Sequence, residues 1–349
     1  MTQEADDRRF MAEALRLARL GLYSTPPNPR VGCVIVKDGD IIGCGFHRRA
    51  GAAHAEIAAL ADARQPVAGA TLYVTLEPCS HHGRTPPCAE ALVAAGVARV
   101  VIASEDPNPL VAGRGVQRLR DAGITVECGV LEREAQELNP GFFQRMQTGM
   151  PWVRCKLAMS IDGRTAMASG ESKWITGEAA RNDVQRLRAR SCAVVSGSET
   201  VLRDDPRLDV RVEEIDGIVV RRQPLRVIVD SQLRVPATAR VFGLPGDVIV
   251  ATARHDPQRE QALAAVGATI VHLPEHKGRV DLQALMRHLA KMQCNEVLLE
   301  AGATLAGAAV ATGLVDELRG WMQGMPPNDT AARLVRFPPR MATALPWME

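Results

Sequence analysis

The sequence predicts an α/β protein made of two successive domains, residues 1–147 and residues 148–349. The chain of 349 residues is longer than a usual single domain of roughly 100–200 residues. Runs of β-branched residues alternate with helix-like segments in both halves, which is the pattern of α/β folds. With 46% hydrophobic and 23% charged residues, the composition is that of a folded globular protein, so both halves are expected to fold.

In the first half, the spacing of apolar residues predicts one sheet covered by helices. The order of the elements is α-β-β-α-β-α-β, and a further helix and strand complete the unit. Residues 139–151 are predicted to be a connector. The predicted helices are residues 6–20, 54–63, 88–95 and 115–122, and the predicted strands are residues 31–36, 41–45, 70–76, 97–103 and 125–128.

In the second half, the same alternation predicts a second α/β domain. The sequence has no internal repeat, low-complexity tract or Gly-x-Gly-x-x-Gly fingerprint, so solenoid and Rossmann folds have no support. The predicted strands are residues 152–158, 192–196, 226–230, 247–251, 269–272 and 296–300, and the predicted helices include residues 177–189 and 281–291.

The charge balance and the N-terminal sequence bear on partners and location. The formal net charge of +2 leaves no basic surplus for binding a phosphate backbone, which argues against a nucleic-acid partner. No run of about 18 apolar residues and no signal-peptide core is found, so no membrane partner is expected and a cytoplasmic protein is predicted. The eight cysteines are then buried apolar residues, ligands or nucleophiles rather than disulfides.

Two short segments have the pattern of zinc ligands. His54 begins a His-Ala-Glu sequence, and Cys79 follows a proline and precedes Cys88 by nine residues. One imidazole and two thiolates supply three ligands of a tetrahedral zinc ion and leave the fourth position for water, as in catalytic zinc sites. Each segment alone is more often a solvated helix face or a chance pair of cysteines. Their order, and the predicted helix start at each, favour a catalytic zinc site.

Glu56 lies two residues after His54 and is the predicted proton shuttle of a hydrolytic deamination, in which zinc lowers the pKa of its water to about 7. A proline before Cys79 is predicted to open a helix whose dipole favours the thiolate. Zinc deaminases have two residues between the cysteines, whereas eight stand here. The longer loop contains His81 and His82. Each of them could contact the substrate, bind the metal or have no role, and the sequence leaves these alternatives open.

Several longer segments resemble one family, the bifunctional riboflavin-biosynthesis proteins in which a deaminase is fused to a reductase. The resemblance extends to about Leu318. After Leu318 the sequence departs from the family pattern, which is a strand followed by an Ala-Pro-Lys-Leu-Leu-Gly-like loop. The C-terminal end is therefore atypical, and a truncated reductase domain is one interpretation of it. The matching segments are residues 27–36 (PNPRVGCVIV), 51–56 (GAAHAE), 75–88 (TLEPCSHHGRTPPC), 106–109 (DPNP), 111–115 (VAGRG), 160–166 (SIDGRTA) and 170–176 (GESKWIT).

The resemblance implies a cytidine-deaminase-like α/β/α domain followed by a dihydrofolate-reductase-like α/β domain. The first deaminates a diaminopyrimidinone ribosylamine 5′-phosphate, and the second reduces the ribosyl group of the product with NADPH. By the same resemblance His54, Cys79 and Cys88 hold Zn²⁺, Glu56 is catalytic and Asn28 contacts the substrate, together with the two loop histidines. A homodimer or larger assembly is implied as well.

For the reductase half, the resemblance implies two sets of contacts. From the sequence alone, residues 300–307 suggest a strand that ends at a Gly-rich helix start, where backbone N–H groups can meet a phosphate. Arginine pairs well with phosphate, although a solvated helix face is the more usual interpretation of Arg188. Asp204 could equally belong to a helix stop with no chemical role. The implied cofactor contacts are Ala158, Trp174, Thr200, Asp204, Ser231, Gly302, Ala303, Thr304, Leu305, Ala306, Gly307 and Ala308. The implied substrate contacts are Ser172, Arg188, Leu208, Arg211 and Glu300.

Three other functions share part of this pattern. A nucleic-acid-editing deaminase has the same zinc ligands but needs a polynucleotide partner, which the balanced charge disfavours. A non-enzymatic protein with structural zinc needs a fourth protein ligand. A working deaminase joined to an impaired reductase would follow if the atypical C-terminal end removed part of the second domain.

Overall fold

The structure is a computed structural model and describes residues 2–80, 87–109, 111–159 and 178–322. The chain divides into two compact units between Thr148 and Gly149. Each unit has its own sheet and its own apolar clusters. Within the described ranges, no helix combines the length and the apolar character needed to cross a lipid bilayer.

The first unit contains a five-stranded sheet with helices on both faces. Its elements are α1 (Gln3–Arg19), β1 (Gly32–Lys37), β2 (Asp40–Phe46), α2 (Ala55–Asp62), β3 (Thr71–Val74), α3 (Cys88–Ala95), β4 (Arg99–Ile102), α4 (Arg114–Asp121), β5 (Thr125–Cys128), α5 (Glu132–Leu138) and α6 (Pro140–Thr148). The strands lie in the order β2-β1-β3-β4-β5. Strand β1 is antiparallel to both neighbours, and the pairs β3–β4 and β4–β5 are parallel. The predicted order of elements is confirmed.

Strand β1 separates two apolar layers. Cys33 and Ile35 pack in the layer that includes α2, α3 and α4, whereas Val34 and Val36 pack in the layer that includes α1 and α5. Successive side chains of a strand point to opposite faces, so the continuous apolar run of β1 is what a strand covered on both faces requires.

Helix α2 lies against the backbone of β2, and a glycine makes this close approach possible. A Cβ atom at Gly45 would lie 2.4 Å from the Ala59 nitrogen and 2.5 Å from the Ala55 carbonyl oxygen. No side chain fits in that space, because packed interiors leave no room for backbone-to-Cβ contacts below 3 Å. The contact fixes the first turn of α2, and with it the residue that precedes the helix, His54.

The connector predicted over residues 139–151 is wrong for most of its length, because α6 occupies it. Pro140 opens this helix, where its missing N–H is not needed. The side chains of Phe142 and Phe143 pack against Leu76. Met146 packs in the same cluster, three residues after Phe143, so the segment has the apolar spacing of a helix, but the stripe is too short to have marked it as one in the sequence.

The second unit is built around a seven-stranded parallel sheet. Its elements are β6 (Trp152–Met159), α7 (Glu178–Arg190), β7 (Ala193–Gly197), α8 (Ser198–Asp204), β8 (Glu214–Ile215), β9 (Ile218–Val219), β10 (Leu225–Val229), β11 (Val248–Thr252), α9 (Pro257–Ala265), β12 (Ala268–His272), β13 (Glu275–His276), β14 (Arg279–Val280), α10 (Leu282–Lys291), β15 (Glu296–Glu300), α11 (Ala303–Ala311) and β16 (Glu317–Met322). The strands lie in the order β12-β11-β10-β7-β15-β6-β16. The chain therefore builds the sheet outwards from β7 to β12 and then returns to insert β15 beside β6.

Strand β16 is the outermost strand on one side of the sheet within the described residues, although the sequence departs from the expected pattern after Leu318. The four residues that follow Leu318 pair in parallel with the last four residues of β6. Beneath these strands, the buried Arg154 guanidinium forms ion pairs with Glu296 and Glu317. The two carboxylates lie on the strands either side of β6, so this ion-pair network ties the last strand to the centre of the unit.

Candidate active sites

His54 and Glu56 stand at the start of α2. His54 is the N-cap residue with an extended backbone, and Glu56 lies in the first turn. Glu56 is 3% exposed. Burial raises the pKa of Glu56 to about 7, because its charged form loses hydration. A carboxyl group with this pKa can accept and release a proton near neutral pH, as a proton shuttle must.

Cys79 and Cys88 approach His54 from a loop and from a second helix. Cys79 lies in the loop after β3, and Cys88 is the first residue of α3. The helix predicted to begin at Pro78, the proline before Cys79, is wrong: the helix begins ten residues later, at Cys88, with Pro87 as its N-cap residue. The Cys79 sulfur nevertheless accepts the Cys88 backbone N–H at 3.3 Å, so the N-terminus of α3 favours the Cys79 thiolate.

The three side chains, called the ligand cluster below, fit a tetrahedral zinc ion. His54 Nδ1 lies 3.6 Å from Cys79 Sγ and 3.3 Å from Cys88 Sγ. Zn–S bonds of about 2.3 Å and Zn–N bonds of about 2.0–2.1 Å separate tetrahedral nitrogen and sulfur ligands by roughly 3.5 Å. Among the described residues the cluster offers three donors. This donor set suits zinc, and the described residues supply three of its four tetrahedral ligands.

The two cysteines of the ligand cluster shift each other's pKa in opposite directions. A hydrogen bond with the Cys88 side chain, aided by His54, holds the pKa of Cys79 well below its usual range. The same contact with Cys79 raises the pKa of Cys88. The pair therefore carries one proton that a metal ion must displace, because cysteine binds metal as the thiolate.

Glu77 holds the segment that leads to the ligand cluster. Its buried carboxylate accepts four backbone N–H groups: Oε1 from Gly115 at 2.8 Å and Val116 at 3.2 Å, and Oε2 from Gly113 at 3.0 Å and Asp106 at 3.2 Å. Three of these groups belong to the N-terminus of α4, where a negative charge is favoured by the helix dipole. The carboxylate thus fastens β3 to α4.

The contact between this segment and α4 is close because residue 115 is glycine. A Cβ atom at Gly115 would lie 2.0 Å from the carbonyl oxygen of Pro78, the residue before Cys79. Sequence reasoning missed the role of Glu77 in this contact. The sequence feature that could have indicated this role is the position of Glu77, an acidic residue between the buried strand β3 and the Pro78-Cys79 pair.

Replacing Glu77 by alanine is expected to weaken zinc binding by about 10–100-fold, the usual cost of losing an outer-shell partner of a metal ligand. Four N–H groups lose their acceptor, and the segment that carries Cys79 is released. Competition with a chromophoric chelator measures the affinity. The matched control is Glu90→Ala on α3, whose exposed carboxylate pairs with Arg118. Equal zinc affinity of Glu77→Ala and Glu90→Ala would contradict the assignment.

Asn28 reaches the ligand cluster through a histidine that sequence reasoning missed. Asn28 Nδ2 lies 3.0 Å from His47 Nε2, and the His47 ring meets the His54 ring edge-on at 5.5 Å. His47 Nδ1 contacts the Ala53 carbonyl oxygen at 3.0 Å, so Nδ1 donates and Nε2 accepts from the Asn28 amide. The signal for His47 was its position directly after β2. His81 and His82 lie outside the described residues.

The second unit has a cleft of about 1840 Å³ at the carboxyl ends of its parallel strands. Ligands of open parallel sheets bind outside these ends, where the strand order reverses, as it does here between β7 and β15. Ala306 and Gly307 are not among the residues of its wall, and Ala306 packs in the core. Trp174 lies outside the described residues. The predicted cofactor contacts that line the cleft are Ala158, Thr200, Asp204, Ser231, Gly302, Ala303, Thr304, Leu305 and Ala308.

The start of α11 fits a phosphate group of a dinucleotide. Gly302 is its N-cap, and no side chain of the described residues caps the first turn. The Gly302 N–H donates to Thr200 Oγ1 at 3.2 Å. The following N–H groups have no partner within the helix and border the cleft, which is the arrangement that binds anions at helix N-termini.

The substrate contacts predicted for the second unit meet beside this cleft. Arg188 Nε and Nη2 donate to the two carboxylate oxygens of Glu300 at 2.6 and 2.9 Å. Arg188 is 8% exposed, so the alternative of a solvated helix face is wrong. Leu208 lines the cleft together with this pair. Ser172 lies outside the described residues.

A small cavity of about 150 Å³ adjoins the cleft and has a surplus of positive charge. Among the residues that the structure describes, four cations line it, Lys156, Arg181, Arg188 and Arg211, against one carboxylate, that of Glu300. Burial and the Arg188 guanidinium lower the pKa of Arg211, which is the expected effect of like charges that face one cavity. A phosphate group would relieve this repulsion. Sequence reasoning missed Lys156, whose signal was a cation inside the apolar strand β6.

The comparisons with known proteins agree with this picture in both units. Residues 4–104 match the cytidine and deoxycytidylate deaminase zinc-binding region, and residues 151–323 match the RibD C-terminal domain. The riboflavin biosynthesis protein RibD of Escherichia coli is 53% identical over 323 residues, which cover 89% of this chain and 86% of that protein.

Two solved structures extend the similarity to the three-dimensional fold. Acinetobacter baumannii RibD superposes with a TM-score of 0.85 at 50% identity and covers 94% of this chain and 89% of its own. The diaminohydroxyphosphoribosylaminopyrimidine deaminase/5-amino-6-(5-phosphoribosylamino)uracil reductase of Thermotoga maritima gives 0.81 at 36% identity, with 92% and 87% covered.

The fold and the ligand cluster define a zinc-dependent deaminase of the cytidine-deaminase type joined to a parallel-sheet reductase. The cofactors of this class are Zn²⁺ and NADPH. The chain belongs to the RibD family of riboflavin biosynthesis proteins and is a bifunctional enzyme, a deaminase and a reductase. The comparisons do not favour a nucleic-acid-editing deaminase, a structural zinc protein or a deaminase without a working reductase.

Proposed function

We propose that residues 1–147 deaminate a diaminohydroxyphosphoribosylaminopyrimidine and that residues 148–349 then reduce 5-amino-6-(5-phosphoribosylamino)uracil, the substrates named for the Thermotoga maritima relative. The observation that carries the first half is the ligand cluster with the buried Glu56 two residues from one ligand. The observation that carries the second is the cationic cavity beside a cleft that fits a dinucleotide.

In the deaminase, His54, Cys79 and Cys88 would hold zinc, which lowers the pKa of bound water to about 7 and so supplies a nucleophile at neutral pH. The Glu56 carboxylate takes a proton from the attacking water and delivers it to the departing amino group, which leaves as ammonia. Asn28, oriented by His47, holds the pyrimidine substrate. His81 and His82 remain predicted substrate contacts, in a loop that could hold the substrate phosphate.

In the reductase, NADPH supplies the hydride, and the protein's part is to position both partners. The N-terminus of α11, from Gly302 onwards, holds a cofactor phosphate, and Ser231 and Thr200 line the path along the strand ends. Arg188 and Arg211 bind the sugar phosphate, with Glu300 fixing the Arg188 guanidinium. Trp174 and Ser172 remain predicted contacts to cofactor and substrate.

Replacing Arg211 by alanine is expected to raise the reductase KM about 10–100-fold with little change in kcat, because a charged hydrogen bond to phosphate contributes roughly 1.5–3 kcal/mol to binding. NADPH oxidation on the deaminated substrate measures it. Arg221→Ala, an exposed arginine that lines neither cavity, is the control. A KM that rises equally for the dephosphorylated substrate would contradict a phosphate contact.

Removal of zinc is expected to separate the two activities. After dialysis against a chelator, ammonia release should fall to background, whereas NADPH oxidation on supplied deaminated substrate should continue, because the ligand cluster belongs to the first unit alone. Adding zinc back restores deamination. Loss of both activities on chelation, or of neither, would overturn this division of labour.

A homo-oligomer and a cytoplasmic location also belong to the proposal. Resemblance to the bifunctional family supports a homodimer or larger assembly, and the sequence composition supports the location. Sedimentation equilibrium at micromolar concentration tests the first: a species of 37.6 kDa would contradict it.

A further inference from the structure

A second group of possible metal ligands lies in the reductase unit, on the edge strand of its sheet. His272 is the last residue of β12, Glu260 lies in the first turn of α9, and His255 precedes that helix. The three ligand atoms lie within 4.8 Å of one another. None of these residues lines the cleft or the small cavity described above.

The distances suit a metal ion held between the two rings and the carboxylate. Glu260 Oε2 lies 3.4 Å from His272 Nε2, and Glu260 Oε1 lies 3.8 Å from His255 Nδ1. Metal–ligand bonds of about 2.0–2.2 Å separate two tetrahedral ligand atoms by roughly 3.3–3.6 Å. Because the two rings stack almost in parallel and an imidazole nitrogen donates in the plane of its ring, the exposed His255 ring must turn out of the stack for both nitrogens to face one ion.

The cluster is also partly ordered before any ion binds. The Asp256 backbone N–H donates to Glu260 Oε1 at 2.9 Å, which orients the carboxylate as an outer-shell partner does. The two imidazole rings stack with centroids 3.9 Å apart and planes 18° from parallel. The side chains are 77%, 23% and 34% exposed for His255, Glu260 and His272, so an ion has access and keeps positions for water.

We propose that His255, Glu260 and His272 bind one divalent transition-metal ion, with Zn²⁺ the best match to two imidazoles and a carboxylate. Magnesium and calcium prefer oxygen ligands throughout and are disfavoured by the two ring nitrogens. The bound ion joins the start of α9 to the end of β12. It thereby braces the edge of the parallel sheet at β12, a strand that contributes no residue to the wall of the cleft.

The test is a titration of the full-length protein with its deaminase site already loaded with Zn²⁺. Calorimetry with added Zn²⁺ should show one further equivalent. Either His272→Ala or Glu260→Gln should weaken this equivalent by at least the 10–100-fold that outer-shell changes cost. Titration with Co²⁺ separates the two sites by spectrum, because binding at the new site gives no thiolate-to-cobalt charge-transfer band.

The matched control is His288→Ala, which removes a half-buried histidine of α10 in the same unit. It should leave the second equivalent unchanged, and all variants should retain ammonia release. Absence of a second equivalent would show that the cluster is only a stacked pair of rings beside a carboxylate. A second equivalent that survives both His272→Ala and Glu260→Gln would place the ion elsewhere. Either result overturns the proposal.

Discussion

Glu56→Gln is expected to lower the rate of ammonia release by about 10²–10⁴-fold, the usual contribution of a positioned acid–base group. The amide has nearly the same shape and fits the same buried position, but it cannot carry a proton between water and the leaving amino group. Zinc content should stay at one equivalent in the ligand cluster, because Glu56 is not one of the three ligand residues. Ammonia release is followed by a coupled dehydrogenase assay.

Two comparisons make the Glu56 result specific. Asp62→Asn removes an exposed carboxylate at the other end of the same helix and should leave deamination unchanged. NADPH oxidation on supplied deaminated substrate should also be unchanged in Glu56→Gln. If Glu56→Gln kept more than about a tenth of the deamination rate, the loss of rate would be smaller than acid–base catalysis contributes, and the shuttle role would be contradicted.

Arg188→Ala is expected to destabilise the second unit by about 3–5 kcal/mol, because it leaves the buried Glu300 carboxylate without its partner. Burial opposes the charge of Glu300, and Arg188 nevertheless holds the pKa of that carboxyl below its usual value. Urea unfolding followed by tryptophan fluorescence isolates this unit, since all four tryptophans lie after residue 148. Loss of reductase activity should accompany the change.

A double variant separates the charge effect from lost packing. Arg188→Met combined with Glu300→Leu removes both charges, so its stability should exceed that of Arg188→Ala. Arg207→Ala is the control: Arg207 pairs with Asp209 nearby, but its side chain is 37% exposed and its loss should change stability little. Equal destabilisation by Arg188→Ala and Arg207→Ala would refute the importance of burial.

The sequence predicted most of the first unit because its elements have clear local signals. The helix that starts after His54 and the helix over Cys88–Ala95 follow from Ala-rich segments with defined starts. The helix misplaced at Pro78 shows the limit of one local rule: a proline can open a helix, but Pro78 lies in a loop, and α3 opens at Cys88, directly after Pro87. Helix α6 is short, and its Phe142 and Phe143 pack against Leu76, a distant residue beyond the end of β3, so the local sequence does not show this contact.

Contacts between distant residues account for the rest. Arg188 is separated from Glu300 by 112 residues, so nothing in its own segment distinguishes a buried ion pair from a solvated helix face. Glu77 accepts N–H groups from residues up to 39 positions away. In both cases the residue type was visible in the sequence, but its partner was set by the fold. Strand β16 likewise pairs with β6 through backbone hydrogen bonds that depend little on side-chain identity.

The most direct test of the bifunctional assignment is a paired assay on purified, zinc-loaded protein with the diaminohydroxyphosphoribosylaminopyrimidine substrate. Ammonia and NADPH are followed in the same cuvette. Two successive active sites predict that ammonia appears first and that one NADPH is then oxidised for each ammonia released. No ammonia would contradict the deaminase, and ammonia without NADPH oxidation, even on supplied deaminated substrate, would contradict the reductase.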